Sequence, residues 1–308
     1  MYEDKKSLEL KKKNEKRINR IQRRRINDIC LIRNYLWRII QYIRLGNISY
    51  AFYALKRAIK IAISHHDTDN VAAAGEFLDI SDRERIVIYT VLFGNYDSVK
   101  EPLFITPNCD YYIITDQEIN NDTIWKKYPL NKFKRTIQNF SNLEKARFFK
   151  LHPHLLFPEY RYSMFIDANI RMVTDMRPVF SQLGANVIAI HNQPGRDCAY
   201  QEATEVIVIG KADSTQVIKQ MKCYKKEGFP QHYGLFRTCV VVRKHNDLTC
   251  KKLMLLWWKD LKKFTKRDQL SFTHALWELN LNKNAVSNLG FDLRTNPRFI
   301  EYIHKQRI

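Results

Sequence analysis

The chain has 308 residues, of which 45% are hydrophobic, 12% aromatic and 27% charged, a composition that excludes a fibrous, low-complexity or wholly disordered protein. Its 52 Lys and Arg against 32 Asp and Glu give a net charge of +20, which raises nucleic acid, a membrane surface and anionic small molecules as partners. The six Cys form no CxxC pair, so reduced thiols are expected rather than a zinc site or a disulfide framework.

The positive charge is concentrated in an N-terminal arm, residues 1–66, which holds 17 Lys and Arg against 5 Asp and Glu, a net charge of +12. Apolar residues recur at helical spacing over Ile18–Ile43, Gly46-Asn47 breaks the pattern, and a second amphipathic helix is predicted over Ile48–Ile63. No stretch of the arm reaches the roughly 20 apolar residues of a spanning helix, and no secretory signal is expected. Residues 67–84 are predicted to be a polar linker.

A second domain is predicted over residues 85–308, where strand and helix patterns alternate. The predicted strands are 86–93, 111–115, 162–166, 186–190 and 239–243. The predicted helices are 141–151, 199–209, 213–227, 247–263 and 268–280. This alternation predicts an α/β domain with a mostly parallel sheet flanked by helices, and such sheets bind ligands at the carboxyl ends of their strands.

The sharpest motif is Asp167-Ala168-Asn169, which directly follows a predicted strand. Two oxygen-bearing side chains on alternate residues can reach one hard cation, which in turn can hold a diphosphate. Asp67-Thr68-Asp69 matches a DxD pattern better letter for letter, but no strand precedes it. An ordinary turn or a helix cap is the alternative for the first motif.

Six segments, taken in order, resemble the TOD/mucilage-type glycosyltransferase-like domain family: VIYTVLFGNYD (87–97), YYIITDQ (111–117), KARFFKLHPHLLFPEYRYSMFIDANI (145–170), AIHNQPGRDCAYQEA (189–203), YKKEGFPQHYGL (224–235) and RDQLSF (267–272). The resemblance covers about residues 85–280. It implies a GT-A-like (Rossmann-like) fold, a nucleotide-diphosphate-sugar donor (a UDP-sugar foremost) and a divalent cation, Mn²⁺ or Mg²⁺, on Asp167 and Asn169. Asn169 replaces the usual acidic residue and so lowers the charge of that site.

Within this frame, the end of the first strand offers Thr90, Phe93, Tyr96 and Asp97 for the nucleoside. An aromatic ring could stack on the base, and a carboxylate could accept hydrogen bonds from the base or the ribose. Asp116 closes the second strand and is a similar candidate. Core packing is the alternative for Phe93, and a turn or a helix cap is the alternative for Asp116.

Three cations share the predicted helix 141–151, and two of them, Arg147 and Lys150, are three residues apart and therefore lie on one side. They are predicted to neutralise the diphosphate of the donor, for which Arg offers a bidentate fork and Lys a point charge. Lys145 is a weaker candidate. A solvated basic face is the alternative.

Four residues are predicted to contact the acceptor or the sugar: His191 and Arg196 in one strand-end loop, Gly234 in a turn-rich segment, and Gln269 at a helix start. For a lone His, a structural role is the alternative. Gly234 lies in a segment whose composition suits an acceptor-binding loop.

Asp268 joins Asp167 as a catalytic candidate, because the resemblance implies that an Asp at such a helix start faces the sugar or the acceptor. Its alternative is an N-terminal helix cap. If capping were its structural role, Asp268→Asn would keep the capping oxygen and leave stability nearly unchanged. His304 could supply another metal ligand, although no motif supports it.

The sequence therefore predicts a metal-assisted hexosyltransferase of polysaccharide biosynthesis with a glycan or lipid-linked acceptor. The alternatives are a non-catalytic nucleic-acid-binding protein that uses the basic arm, and a hydrolase on the same fold. No specific nucleic-acid partner is expected. The arm could pack on the catalytic domain, pair with another subunit in a homo-oligomer, or lie on an anionic membrane. A cytoplasmic protein is expected. If the arm lies on an anionic membrane, the protein is expected to be peripheral to the inner face of that membrane.

Overall fold

A computed structural model describes residues 84–290, 292–302 and 304 of the chain. In the arm it describes a further set: residues 36, 37, 39–44, 46, 48, 51, 52, 54–56 and 59. Most of the predicted linker, the Asp67-Thr68-Asp69 segment and the first 35 residues lie outside the described part.

Seven of the strands form one sheet. In chain order the described strands are β1 Ile86–Leu92, β2 Cys109–Thr115, β3 Lys126–Lys127, β4 Tyr162–Ile166, β5 Ile170–Met172, β6 Ile188–Asn192, β7 Phe236–Arg243, β8 Val286–Asn288 and β9 Phe299–Glu301. The order in the main sheet is β3-β2-β1-β4-β7-β6-β8, and β7 alone runs antiparallel to its neighbours. The predicted α/β fold with a mostly parallel sheet is confirmed.

The helices that flank the sheet begin and end close to the predicted positions. Between residues 84 and 304 they are α1 Lys134–Ile137, α2 Asn142–Leu151, α3 Pro153–Leu156, α4 Arg177–Ser181, α5 Ala199–Val208, α6 Ser214–Glu227, α7 Leu248–Lys263 and α8 Asp268–Glu278. Side-chain caps explain the agreement: Ser141 and Glu144 form a capping box before α2, and Asp213 and Asp247 cap α6 and α7. The short α1, α3 and α4 carry too little pattern to predict.

The core lies on both faces of the sheet, and β1 is buried along its whole length. Its alternate residues point into two different apolar clusters, one with Val87 and Tyr89 beside α2 and α7, and the other with Ile88 and Leu92. A central parallel strand covered on both faces has no polar face. This is why its sequence is a continuous apolar run rather than an alternating one.

A second, two-stranded sheet brings the C-terminal segment back to the end of β4. β5 pairs with β9 in antiparallel register, with Ile170 opposite Glu301. The backbone N–H of Tyr302 then donates to the carbonyl oxygen of Asn169 at 2.9 Å. Strands of three residues carry no readable periodicity, so this return of the chain was not predicted.

Ion pairs around the buried Asp292 hold the C-terminal segment in place. Arg237 on β7 pairs with Asp292 at 2.7 Å and with Glu301, and Arg294 pairs with Asp292 at 2.7 Å. Burial opposes ionisation of Asp292, but Arg294 and Arg237 outweigh burial and hold the pKa of this carboxyl below its usual range. The segment after residue 292 is therefore tied to the sheet by charge as well as by β9.

The described arm residues within 36–44 and 48–59 are helical, with a turn at Gly46, as the sequence predicts. Tyr42 is buried, and its hydroxyl donates to the Glu205 carboxylate on α5. Ala51 and Ala54 are buried in the same cluster, against which Val208 of α5 packs. One face of the arm thus contacts the α/β domain. No described helix has the length and apolarity that crossing a membrane requires.

Candidate active site

The turn after β1 is held by side chains from the end of β2. Gly94 has φ +67°, a left-handed conformation that favours glycine, and a Cβ at this position would also push the Asn142 side chain away. Its N–H donates to Asp116 at 3.2 Å, and the Gln117 side chain donates to its carbonyl oxygen. The exposed Asp116 therefore stabilises a turn in this structure, which is the alternative given for it above. It supports the loop that carries residues 96–97.

That loop meets the C-terminal segment at His304. The ring Nδ1 of His304 lies 2.7 Å from Asp97 Oδ2, and the two rings of His304 and Tyr96 are 5.1 Å apart. Asp97 is buried, and its other oxygen accepts from the Ser98 N–H at 2.8 Å. A carboxylate bound to one imidazole nitrogen fixes the ring and directs the other nitrogen, Nε2, away from it.

Asp167 lies among titratable groups from three other parts of the chain. Burial raises the pKa of its carboxyl group, and the neighbouring Asp268 carboxylate raises it further, whereas Lys150, Arg147 and His304 oppose the shift. An acid whose ionised form is disfavoured by burial gains from any additional cation at the site. This carboxylate is therefore one of the side chains that could hold a divalent ion.

Asn169 holds the returning C-terminal segment with its side chain as well as its backbone. Asn169 Nδ2 donates to the Tyr302 carbonyl oxygen at 2.7 Å. Only an amide can make this bond, because a carboxylate at this position has no hydrogen to donate. With the amide nitrogen engaged by Tyr302, the oxygen Oδ1 is the atom left for a ligand.

Asp268 is paired with two of the predicted cations. Lys150 Nζ donates to Asp268 Oδ2 at 2.5 Å, and Arg147 Nη1 lies 3.4 Å from the same oxygen. Burial works against the ionised Asp268, but Arg147, Lys150 and Arg267 together hold the pKa of this carboxyl far below its usual range. The cap residue of α8 is Arg267, without a side-chain cap bond, so the helix-cap alternative for Asp268 is wrong.

Arg267, in the RDQLSF segment, has no role predicted from the sequence. Its Nε is buried and has no hydrogen-bond partner within the described part of the chain. Burial lowers the pKa of its guanidinium; Asp268 and Tyr96 favour the charge, and Arg147 opposes it. Three cations, Arg147, Lys150 and Arg267, therefore act on the one carboxylate of Asp268.

These groups form what we call the strand-end cluster: Tyr96, Asp97, Arg147, Lys150, Asp167, Arg267, Asp268 and His304. Burial raises the pKa of the Tyr96 phenol, and both Asp97 and Asp167 add to this, while Arg267 and Arg147 oppose it, so its ring is near all four. The parallel strands β1 and β4 place the segments of Tyr96, Asp97 and Asp167 at one edge of the sheet, and the other members reach it from two helices and the C-terminal segment.

Two predicted acceptor contacts have structural partners instead. His191 is fully buried, its Nε2 lies 3.0 Å from Asn296 Nδ2, and burial lowers the pKa of the imidazole to about 3. Arg196 is buried between Glu202 at 2.7 Å and Glu205 at 3.2 Å. In this structure neither side chain presents a surface to a ligand, and their acceptor roles stay predictions.

The remaining predicted residues lie around the cluster rather than in it. Phe93 is buried and stacks on Phe149 at 5.7 Å, which is the core packing named as its alternative. Thr90 is buried within β1, and its Oγ1 lacks a hydrogen-bond partner in the described residues. Gln269 Nε2 donates to Gln193 Oε1 at 3.0 Å, and Gly234 adopts φ +108° in its loop.

A second group of acidic and His side chains was not predicted. Among the described residues, Asp260, His274 and Glu278 place ligand atoms within 4.8 Å of one another. His274 Nδ1 is 2.7 Å from Asp260 and Nε2 is 3.0 Å from Glu227, so carboxylates occupy both ring nitrogens. Tyr224 also donates to Asp260 at 2.7 Å. This arrangement ties α6, α7 and α8 together and is separate from Asp167 and Asn169.

Comparison with known proteins identifies similar sequences and similar structures. The sequence model of a family described as TOD1/MUCI70, glycosyltransferase-like domain, matches residues 53–304. The probable hexosyltransferase MUCI70 of Arabidopsis thaliana is 22% identical over 262 residues, which are 75% of this chain and 44% of that protein. The chain thus spans less than half the length of this relative.

Two of the similar solved structures are also glycosyltransferases. The WbbM bifunctional glycosyltransferase has a TM-score of 0.45 at 11% identity, over 83% of this chain and 54% of that one. Mouse xyloside xylosyltransferase 1 has a TM-score of 0.38 at 9% identity, over 67% of this chain and 84% of that one.

Proposed function

The chain belongs to the TOD1/MUCI70 glycosyltransferase-like domain family, and on this premise we propose that it is a hexosyltransferase that uses a nucleotide-diphosphate sugar, with a glycan or a lipid-linked glycan as acceptor. One observation carries the proposal: buried cations and strand-end oxygen and nitrogen ligands meet in the strand-end cluster. A bound diphosphate needs protein cations to neutralise its charge and ligands to hold the metal ion that binds it. The panel of nucleotide sugars described below would identify the sugar and the base.

The diphosphate of the donor would lie against Arg147, Lys150 and Arg267. Asp268 balances one of these three positive charges and Asp167 lies nearby, so a divalent cation on Asp167 would supply the excess of positive charge that an anionic ligand needs. The unpartnered Nε of Arg267 supports this reading, because a buried guanidinium donor without a partner costs free energy until an acceptor arrives. Arg147 can hold a phosphate through its planar fork, and its Nε is fixed by the Lys266 carbonyl at 3.1 Å.

The ligand set at the end of β4 fits a divalent cation. Asp167 would supply a carboxylate oxygen, Asn169 its Oδ1 and His304 its Nε2, an oxygen-rich set with one imidazole that suits Mn²⁺ or Mg²⁺. Asp97 bound to Nδ1 is the outer carboxylate that metal-binding His residues commonly have. Such an ion supplies positive charge to the diphosphate as the sugar leaves.

Asp268 is better suited to positioning than to proton transfer. A general base works best with a pKa near the working pH, and the cations around Asp268 keep its pKa far below that range. The carboxylate instead holds the amine of Lys150 at 2.5 Å and the guanidinium of Arg147 at 3.4 Å. We therefore assign it the role of fixing these cations beside the leaving group.

Tyr96 is the preferred aromatic for the nucleoside. It is half-buried beside His304, whereas Phe93 is packed into the core. A partly exposed ring can stack on a base without unpacking the domain. Thr90 and Asp116, predicted earlier for the same purpose, would act through the shape of this loop.

The proposal is tested by thermal unfolding of the full chain with a panel of nucleotide sugars, each with and without Mn²⁺. A true donor present at 100 times its dissociation constant stabilises the fold by about 2.7 kcal/mol, which raises the midpoint by several degrees. We expect one nucleotide class to do so only with the ion. Absence of any shift, together with salt-dependent binding of generic DNA, would favour the nucleic-acid alternative; release of free sugar with water as sole acceptor would favour the hydrolase.

Asn169→Asp is expected to raise the Mn²⁺ concentration that activity requires, although the substitution adds a negative charge to the site. The new carboxylate oxygen would face the Tyr302 carbonyl and repel it, which releases the segment that carries His304. We expect faster hydrogen exchange over residues 299–304 and about a tenfold rise in the Mn²⁺ concentration for half-maximal activity. His304→Ala should give the same rise without faster exchange in β9.

The matched control is Asn280→Asp, which makes the same change at an exposed position after α8 and should alter neither measurement. A lower Mn²⁺ requirement in Asn169→Asp, with unchanged exchange, would contradict the clamping role and leave Asn169 as a simple metal ligand.

A further inference from the structure

The arm exposes a row of large apolar side chains that the α/β domain does not cover. Seven residues form this row, which we call the arm face, and their exposed fractions lie between 44% and 65%: Leu36, Ile40, Ile43, Ile48, Phe52, Leu55 and Ile59. Isolated exposed apolar residues are common, but seven on two consecutive helices make a contiguous surface. Such a surface marks an interaction site.

The arm face is distinct from the face that packs on the domain. On each helix its members are spaced by three or four residues, so they lie on one side. The buried positions, Tyr42 on the first helix and Ala51 and Ala54 on the second, lie about 100° round the helix from that side. The contact with α5 therefore leaves the arm face open.

The two helices repeat one arrangement at an interval of 12 residues. Leu36, Ile40, Ile43 and Arg44 of the first helix correspond to Ile48, Phe52, Leu55 and Lys56 of the second. The chain turns at Gly46, and the two buried faces meet in one cluster. The exposed apolar residues occupy equivalent positions on the two helices, which share one buried cluster, so we treat the two exposed rows as one surface.

Basic residues flank this surface. Arg44 and Lys56 are both exposed, and each lies about 70° beyond the apolar row of its helix, on the side away from the buried face. The arm as a whole carries 17 Lys and Arg against 5 Asp and Glu. An apolar surface with a cationic border is complementary to an anionic lipid bilayer, which has an apolar interior and negatively charged headgroups.

We propose that the arm face docks the protein on an anionic lipid bilayer, with the apolar row at the level of the acyl chains and Arg44 and Lys56 among the headgroups. A second copy of the chain is the less favourable occupant, because it would bring another arm of net charge +12 against the first. The hydrogen bond from Tyr42 to Glu205 and the ion pair of Glu205 with Arg196 would hold the docked arm to the α/β domain.

Co-sedimentation of the full chain with vesicles of phosphatidylglycerol and phosphatidylcholine tests the proposal. We expect binding to the mixed vesicles, and about a tenfold or greater loss of partitioning in Phe52→Gln/Leu55→Gln, which removes apolar surface from the arm face. Ile218→Gln/Leu255→Gln is the matched control, because both residues are exposed, apolar and helical but lie on α6 and α7. It should bind as the unaltered chain does.

A second pair of measurements tests the charge. Arg44→Gln/Lys56→Gln should lose about fivefold in binding per charge on the mixed vesicles and almost nothing on pure phosphatidylcholine. Raised salt should reproduce this loss in the unaltered chain. Equal binding to both vesicle types would overturn the electrostatic part of the proposal.

Two outcomes would overturn it entirely. One is that the unaltered chain fails to sediment with either kind of vesicle, which would mean that other parts of the chain cover the arm face. The other is a stable dimer in sedimentation velocity that Phe52→Gln/Leu55→Gln converts to a monomer, which would identify a second copy as the occupant. Neither readout depends on sugar transfer, so the result stands apart from the proposed function.

Discussion

Asp167→Ala is expected to reduce sugar transfer by at least about 100-fold while the fold keeps its stability. The side chain would hold the cation that offsets the charge of the leaving diphosphate, a contribution of several kcal/mol. Burial already disfavours its ionised form, and Lys150 has its own partner in Asp268, so the folded protein loses no compensated ion pair. The thermal midpoint without ligand should stay the same or rise slightly.

The measurements are transfer with the donor found in the panel, and the midpoint with and without Mn²⁺. In Asp167→Ala the ion should no longer shift the midpoint. Asp67→Ala is the matched control, because it removes an Asp from the better letter-for-letter DxD pattern of the predicted linker. Equal losses in the two variants, or full activity in Asp167→Ala, would show that the site has been placed wrongly.

Asp268→Asn is expected to lower both turnover and stability. The substitution leaves the Lys150 amine, which is 1% exposed, without its carboxylate partner at 2.5 Å. Removing one member of a buried ion pair typically costs about 3–5 kcal/mol, because the remaining charge is left without compensation. The expectation of nearly unchanged stability, which followed from a capping role, is therefore revised.

The loss in Asp268→Asn should depend on pH. The folded state holds the pKa of Asp268 below the value of about 3.9 that it has in an unfolded chain, so its ionised form stabilises the fold above that pH. This contribution falls as the pH drops below about 4 toward the folded pKa. Urea unfolding at pH 7 and at pH 3 should therefore show a large difference between variant and unaltered chain at pH 7 and a smaller one at pH 3.

A double variant separates the structural role from the functional one. Lys150→Met/Asp268→Asn removes both charges and replaces the lysine stem with an apolar chain of similar length against Phe165, so most of the stability should return. Turnover should stay low, because Lys150 is then absent from the diphosphate site. Recovery of turnover along with stability would reduce the pair to a structural ion pair.

The longer helices and strands of the domain could be predicted from local signals alone. The uninterrupted apolar run of β1 indicates a strand buried on both faces, and the box of Ser141 and Glu144 marks the start of α2. These signals depend on neighbours within a few residues. The α/β class and the direction of attention to the strand ends follow from their alternation.

Part of the candidate site could be found in the same way. Asp167 was singled out because it follows a strand, and Arg147 and Lys150 because of their helical spacing. The family resemblance points to Asp268, but the capping role that its position suggests is wrong. A helix start looks the same in sequence whether the carboxylate caps its own helix or, as here, pairs with a lysine 118 residues away.

Only the tertiary structure decided the other members and the misassigned ones. His304 and Tyr302 reach the end of β4 through a three-residue strand and buried ion pairs, none of which leaves a periodic pattern in the sequence. His191 and Phe93 have the right residue types at strand ends, but their burial depends on what packs over them. The sequence determined which segments form the longer helices and strands, because backbone preferences and apolar periodicity are local. It could not determine which charges become partners, because that depends on long-range packing.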